Sequence, residues 1–317
     1  MIKKEIVKNL HVPVGYHCNN FCLFCMEADR VKRYVETKEF VKERVYDFLR
    51  RNRKMKKVIF TSGEPTLNPD LLKYIRHTKK LGFETISIIS NGRMYSNEKF
   101  CLDLLKRGAN EFIVSIHGHK KEIHDALTRT PGSFGQTAKG LDNLSRIKKY
   151  IPFHLTISVV INKINCEFLG NMLDFLRKYR ADEIVFNIVQ PVGLNMEKRF
   201  RILMPRYGEV AKIFENLLRE KPWLFEHPQK LETRRYVSIT DLPPCSSEKM
   251  IDMIGFGEER IIDCEGKTKK EHTSAHKEKR KACQSCGYSR ICDGVYKNYI
   301  KNFGWEEFTP VKRTKKL

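Results

Sequence analysis

Cys18-Asn19-Asn20-Phe21-Cys22-Leu23-Phe24-Cys25 sets three thiols in one short loop at a Cys-x3-Cys-x2-Cys spacing. It follows Leu10-His11-Val12-Pro13-Val14-Gly15, an apolar run that reads as a strand. Three thiolates are one short of the four protein ligands of a closed structural zinc site, and His17 is the nearby candidate for a fourth. An iron–sulfur cube held by three cysteines instead keeps one iron open to another ligand, and an open coordination position is where chemistry happens.

Outward from this loop, strands and helices alternate. Lys38 to Leu49 has apolar residues at 40, 41, 45, 48 and 49, a helical stripe. Lys57-Val58-Ile59-Phe60-Thr61 reads as a buried strand ending in Ser62-Gly63-Glu64-Pro65-Thr66. Helices are predicted over Asp70 to Leu81, stopped by Gly82, and over Asn97 to Arg107, stopped by Gly108. Between them Thr85 to Ile89 is a strand ending at Ser90-Asn91-Gly92. Phe112 to Gly118 is the next strand, followed by a long loop and a helix over Phe134 to Lys149. Phe153 to Val160 and Glu183 to Val189 complete six strands, with helices over Glu167 to Tyr179 and from about Tyr207 to Arg219.

Such alternation implies parallel pairing through right-handed crossovers, hence an α/β fold. Six units fall short of a closed eight-fold barrel, so the fold is either a partial (β/α)6 barrel or an open doubly wound sheet; we take the partial barrel as the expectation. In both, ligands sit at the carboxyl ends of the strands. The cysteine loop, Ser62 to Thr66, Ser90-Asn91-Gly92, Ser115 with His117, Asn162 and Gln190-Pro191 all fall there. From Trp223 the apolar periodicity weakens, which places a domain boundary near residue 222: a barrel domain over 1–222 and a small cysteine-rich C-terminal domain over 223–317.

The 317 residues hold ten cysteines, and no run approaches the ~20 apolar residues of a membrane helix. The lysine-rich start leads into mixed sequence rather than a signal region, so a soluble cytoplasmic protein without membrane association is expected. In that setting clustered cysteines indicate metal binding or catalysis, not a disulfide framework. Cys101 and Cys166 stand alone in helical patterns and read as small buried apolar residues. Lys and Arg number 60 against 38 acidic residues, a net +22. This raises RNA as a partner, although lysine is spread along the whole chain. Lys267 to Lys281, with seven basic residues and two Glu, reads as a solvated loop.

With Cys18-x3-Cys22-Leu23-Phe24-Cys25 after the first strand and Ser62-Gly63-Glu64-Pro65 after the second, the chain resembles the radical S-adenosylmethionine (SAM) superfamily over about residues 9–222. The resemblance implies that Cys18, Cys22 and Cys25 hold a 4Fe-4S cluster whose open iron chelates the amino and carboxylate groups of SAM. Reductive cleavage of the sulfonium would then give a 5'-deoxyadenosyl radical that abstracts hydrogen from a substrate, with flavodoxin or ferredoxin as the kind of electron donor implied. Phe24 would pack on the adenine, and Ser62, Gly63, Glu64 and Pro65 would meet the methionyl amino group. Similar proteins often carry two glycines where Ser62 and Gly63 stand, so an ordinary backbone is expected at Ser62. By similarity Ser115 lies near the ribose with Asn91 beside it. His117, two residues on, points the same way. Arg129 resembles a carboxylate-binding arginine, its fork suited to that task. Val189 and Gln190 are further candidates for adenine or substrate contact.

A second group, Cys283-x2-Cys286-x5-Cys292 followed by Asp293-Gly294-Val295-Tyr296, resembles SPASM or Twitch extensions that carry auxiliary 4Fe-4S clusters. The fuller pattern has a cysteine where Tyr296 stands. Five cysteines cannot ligate two full clusters but can ligate one. Cys245, in the stiff Leu242-Pro243-Pro244-Cys245 turn, joins Cys283, Cys286 and Cys292 as the expected set, with Cys264 as the alternative ligand. A zinc ribbon is the competing reading. The expected reaction is hydrogen abstraction from a peptide or small metabolite. RNA modification, or a non-catalytic metal-bearing RNA-binding protein, is the alternative.

Overall fold

The computed structural model describes residues 6–27, 38–227, 236–255, 258–262, 268–270 and 275–312. Strands β1 (Ile6–Pro13), β2 (Lys57–Thr61), β3 (Thr85–Ser90), β4 (Glu111–Ser115), β5 (His154–Ile161), β6 (Glu183–Ile188) and β7 (Val237–Thr240) lie side by side in sequence order, every pairing parallel. This is the expected partial barrel with one strand more than the periodicity indicated. β7 is four residues long, too short to leave a clear pattern. Beyond β1 the sheet continues into β8 (Glu258–Ile262), parallel to it, and β9 (Thr268–Lys270), antiparallel to β8.

The register explains the core. Leu10 pairs with Val58, Val58 with Ile86, Ile88 with Phe112, Phe112 with Leu155, and Ile157 with Ile184. All of these are fully buried, as are Leu49, Ile75, Leu104, Leu144, Leu173 and Phe214 from the helices covering that face. Truncating any one of these leucines to alanine should cost about 2–5 kcal/mol. Because side chains alternate along a strand, the opposite face carries Thr61, Ile89, Ser115, Ser158, Asn187 and Thr240, each half-buried near a strand's carboxyl end. Three of them join into a ladder: the Thr240 hydroxyl donates to Asn187 Oδ1 at 2.7 Å, and Asn187 Nδ2 donates to Ser158 Oγ at 2.9 Å.

The region read as a long loop after β4 contains a helix, Lys121–Thr128. Asp125 within it accepts from the backbone N–H groups of Gly132 and Phe134 and from the Ser133 hydroxyl, stitching its end to the next helix, Ser133–Ile147. A further helix, Leu194–Leu203, follows β6 before the expected one at Tyr207–Glu220. Past β7, the two-stranded antiparallel hairpin of β10 (Lys277–Glu278) and β11 (Val295–Tyr296) leads into a last helix, Lys297–Phe303. The Tyr299 ring of that helix lies against Tyr207 at 4.3 Å, tilted by 37°, and its hydroxyl accepts the Tyr207 backbone N–H at 3.0 Å, so the C-terminal segment docks on the barrel's helical layer. Among the described residues no helix is long and apolar enough to cross a membrane.

Candidate functional site

The cysteine loop leaves β1 at the carboxyl edge of the sheet and is held there by other elements. The N–H groups of Phe21 and Leu23 donate to the carbonyls of Thr128 and Leu127 at 2.9 Å each. Arg93 Nη1 donates to Asn20 Oδ1 at 2.9 Å and to the Asn19 carbonyl, and Arg199 donates to the Leu23 carbonyl at 3.1 Å. The three thiols come together: burial foremost, then repulsion by neighbouring anionic groups, pushes Cys18 up to about 11, and burial with Cys25 and Cys18 beside it pushes Cys22 up as well. Phe24 is buried between them and meets the His117 ring edge-on at 4.8 Å.

The second loop packs directly on the first. Gly63 has φ 55°, and a Cβ there would lie 2.5 Å from the His17 carbonyl oxygen. Only glycine allows that approach. Ser62 also has positive φ, 73°, which corrects the expectation of an ordinary backbone at that position. The cost is offset by Glu27: its carboxylate accepts from Ser62 Oγ and from the Gly63 N–H, each at 2.8 Å. Glu64 turns inward. Its buried carboxylate accepts from the Thr66 N–H and hydroxyl, from Ser90 Oγ at 2.8 Å and from the Asn91 N–H at 2.6 Å, so burial raises its pKa while four donors oppose the rise. Pro65 opens the short 3-10 turn Pro65–Leu67.

Asn91 reaches the cysteine loop, donating from Nδ2 to Asn19 Oδ1 at 2.7 Å, with its side chain also against Cys18. Ser115 stands half-buried at the end of β4, in register with Ser158. His117 is buried, its Nδ1 accepting the Val160 N–H at 3.2 Å, while its backbone N–H donates to His124 Nδ1 at 3.0 Å. Both imidazoles stay neutral: burial pulls His117 down to about 3 and His124 to about 4. Arg129 is exposed at the end of the Lys121–Thr128 helix with φ 52°, next to the carbonyl that holds Phe21. Val189 is buried in the core, and Gln190 donates to Asp241 at 2.8 Å. Sequence reasoning passed over Glu27, Arg93, Asn187 and Asp241. Only Glu27, two residues past Cys25, carried a positional hint.

Cys245, Cys283, Cys286 and Cys292 line one small cavity of about 30 Å³, walled by Pro243, Pro244, Trp305 and Phe308. Burial and then the charges of Cys292, Cys286 and Cys283 push Cys245 up to about 12, which places the four thiols within electrostatic reach. Cys264 lies outside the described residues, as do Lys267, residues 271–274 and the tail after Lys312. Among the described residues, no three His, Cys, Asp or Glu side chains are gathered tightly enough to hold a single metal ion.

The family model described as "Radical SAM superfamily" matches residues 12–176, just over half of the chain. The chain belongs to the radical SAM superfamily. It is 26% identical over 189 residues to a probable GTP 3',8-cyclase of Saccharolobus islandicus, a match covering 59% of each chain. A probable GTP 3',8-cyclase of Sulfurisphaera tokodaii is 26% identical over 231 residues, 73% of this chain and 69% of the other. This radical SAM chain thus aligns with less than two thirds of the length of the first of these relatives. Among solved structures, Streptococcus suis SuiB bound to precursor peptide SuiA superposes with a TM-score of 0.65 at 13% identity, over 98% of this chain and 75% of SuiB. The enzyme anSMEcpe with bound AdoMet and Cp18Cys peptide gives 0.61 at 14%, over 97% and 93%. At such identity these likenesses establish the fold.

A radical SAM enzyme works with a 4Fe-4S cluster and SAM, and the first cysteine loop suits such a group. Its donor set is three soft thiols, and burial raises the pKa of Cys18 and Cys22, so these two release protons readily only against a compensating cation.

Proposed function

We propose that this radical SAM enzyme abstracts hydrogen from a peptide or small metabolite and carries one auxiliary 4Fe-4S cluster in its C-terminal region. The observation behind the second metal site is the cavity lined by Cys245, Cys283, Cys286 and Cys292. Four thiols around one cavity match the donor set of a 4Fe-4S cluster as well as that of a zinc ribbon, and the radical SAM barrel beside them favours the cluster. When loaded, the first site supplies reductive cleavage of SAM, and the second an acceptor for the electron a product gives up, which favours oxidation or cross-linking over isomerisation.

The chain's own residues would do the following. Cys18, Cys22 and Cys25 hold the first cluster, and Phe24 packs on the adenine. The backbone of Ser62, Gly63, Glu64 and Pro65 faces the methionyl amino group, and the Glu27 carboxylate fixed on that backbone adds a countercharge to the ammonium. Asn91, Ser115, His117 and Val189 surround the adenosyl part, and Arg129 pairs with the carboxylate. Strand ends β4 to β7 offer the half-buried Ser115 and the Ser158–Asn187–Thr240 ladder to the substrate as neutral hydrogen-bonding groups.

The neighbours SuiB and anSMEcpe were solved with peptides, which favours the peptide arm. The name of the curated relatives puts GTP in the small-metabolite arm. A tRNA substrate is the second reading, favoured by the net charge of +22. It requires binding that weakens steeply with salt. Anaerobic reconstitution tests the metal content: about eight irons per chain are expected, whereas about four irons with one zinc would remove the auxiliary cluster.

A further inference from the structure

Between the barrel mouth and the second cysteine cavity lies a four-residue knot that neither site explains. Asp241 directly follows β7 with φ 62°, a left-handed conformation unusual for a residue other than glycine. Its carboxylate is nearly buried and fully engaged. Oδ1 accepts from Lys277 Nζ at 2.8 Å and from the Tyr296 hydroxyl at 2.9 Å, and Oδ2 accepts from Gln190 Nε2 at 2.8 Å. Lys277 also lies over the Tyr296 ring at 4.6 Å.

The partners define what this carboxylate joins. Lys277 and Tyr296 are paired in register across the β10–β11 hairpin, whose connecting segment carries Cys283, Cys286 and Cys292. That hairpin is drawn tight at its base: a Cβ on Gly294 would lie 2.2 Å from the Glu278 carbonyl oxygen. The fourth thiol, Cys245, follows Asp241 by four residues through a segment stiffened by Pro243 and Pro244. The two cysteine-bearing segments therefore meet at Asp241, one through its backbone and the other through its carboxylate. Gln190 adds the end of β6, at the mouth of the barrel.

We propose that Asp241 is the positioning residue of the second cysteine cavity. It holds the hairpin thiols in register with Cys245 and ties that cavity to the sixth strand. A nearly buried Lys277 ammonium without its countercharge would pull away toward water, and the hairpin would move with it. The left-handed turn at Asp241 aims the Leu242–Cys245 segment into the cavity.

This assignment rests on the auxiliary-cluster reading, and its test separates the two. D241G deletes the carboxylate while suiting the positive φ, and D241N keeps the shape and tolerates that φ but puts an N–H where a donor now points. Full-length wild type and both variants are reconstituted anaerobically, and iron, EPR of the dithionite-reduced protein, thermal midpoint and SAM affinity are measured. Both variants should fall from about eight irons to about four, losing one cluster signal while keeping the SAM-sensitive signal and wild-type SAM affinity. K277M should do the same if a glycine at 241 prevents folding. A merely structural role would lower the thermal midpoint and both signals together, and that result, or about eight irons in D241G with an unchanged spectrum, overturns the assignment alone. About four irons in the wild type takes down the auxiliary reading and the assignment with it.

Discussion

The two cysteine regions are built in opposite ways. The N-terminal one is contiguous: three thiols within Cys18 to Cys25, on a loop pinned by Arg93, Arg199 and the carbonyls of Leu127 and Thr128. The C-terminal one is assembled from two segments far apart in sequence, joined by the β10–β11 hairpin and Asp241. A contiguous site loads one group wherever its loop is seated. An assembled site depends on tertiary register, so it should be the more easily lost without damage to the rest.

The largest expected effect tests that asymmetry directly. C22A should reduce SAM cleavage to background while the second site keeps its iron. C245S should lose only the second site's iron and still cleave SAM. Iron content and 5'-deoxyadenosine formation distinguish them, and equal losses in both variants would mean that the regions are not independent.

The next effect concerns how the first loop is seated. G63A places a methyl group 2.5 Å from the His17 carbonyl oxygen in a left-handed conformation. It should cost about 2–3 kcal/mol in denaturant unfolding and loosen SAM binding, leaving the second region unaffected.

These contrasts also explain what could be read from the sequence. The strands were legible because buried parallel strands run as nearly unbroken apolar stretches, such as Val58-Ile59-Phe60. The first cysteine loop was legible because its spacing is local. Glu27 was not, since its role arises from contact with Ser62 and Gly63, 35 and 36 residues away. Asp241 and Asn187 were silent for the same reason, acting through partners 29 to 55 residues distant. Ser62 was misread because residue type gives the usual backbone preference, whereas here Glu27 holds the uncommon one.

Acid titration should mark the first region as well. His117 and His124 are pulled from 6.5 to about 3 and about 4. The unfolded chain therefore takes up their protons first: their contribution is complete above 6.5 and is lost as pH falls toward 4 and below. Stability should decline by up to about 1.4 kcal/mol per pH unit for each histidine over that window. Glu64, raised from 4.5 by burial, works in the opposite sense above that value. H117N removes one histidine's share, so denaturant midpoints at several pH values should show a shallower acid limb than wild type. The residues lining the second cavity include no histidine or carboxylate, so C245S should leave that limb unchanged.

The smallest effect is at Ser62. S62G relieves the positive φ but loses the hydroxyl bond to Glu27, and the two should cancel within about 1 kcal/mol. S62A loses the bond and keeps the strain, so it should be the less stable of the pair by thermal unfolding.

The most direct measurement is product analysis of dithionite-reduced, reconstituted protein incubated with SAM. The proposal requires 5'-deoxyadenosine from wild type and C245S and none above background from C22A. No 5'-deoxyadenosine from the wild type, or the same amount from C22A, would contradict it.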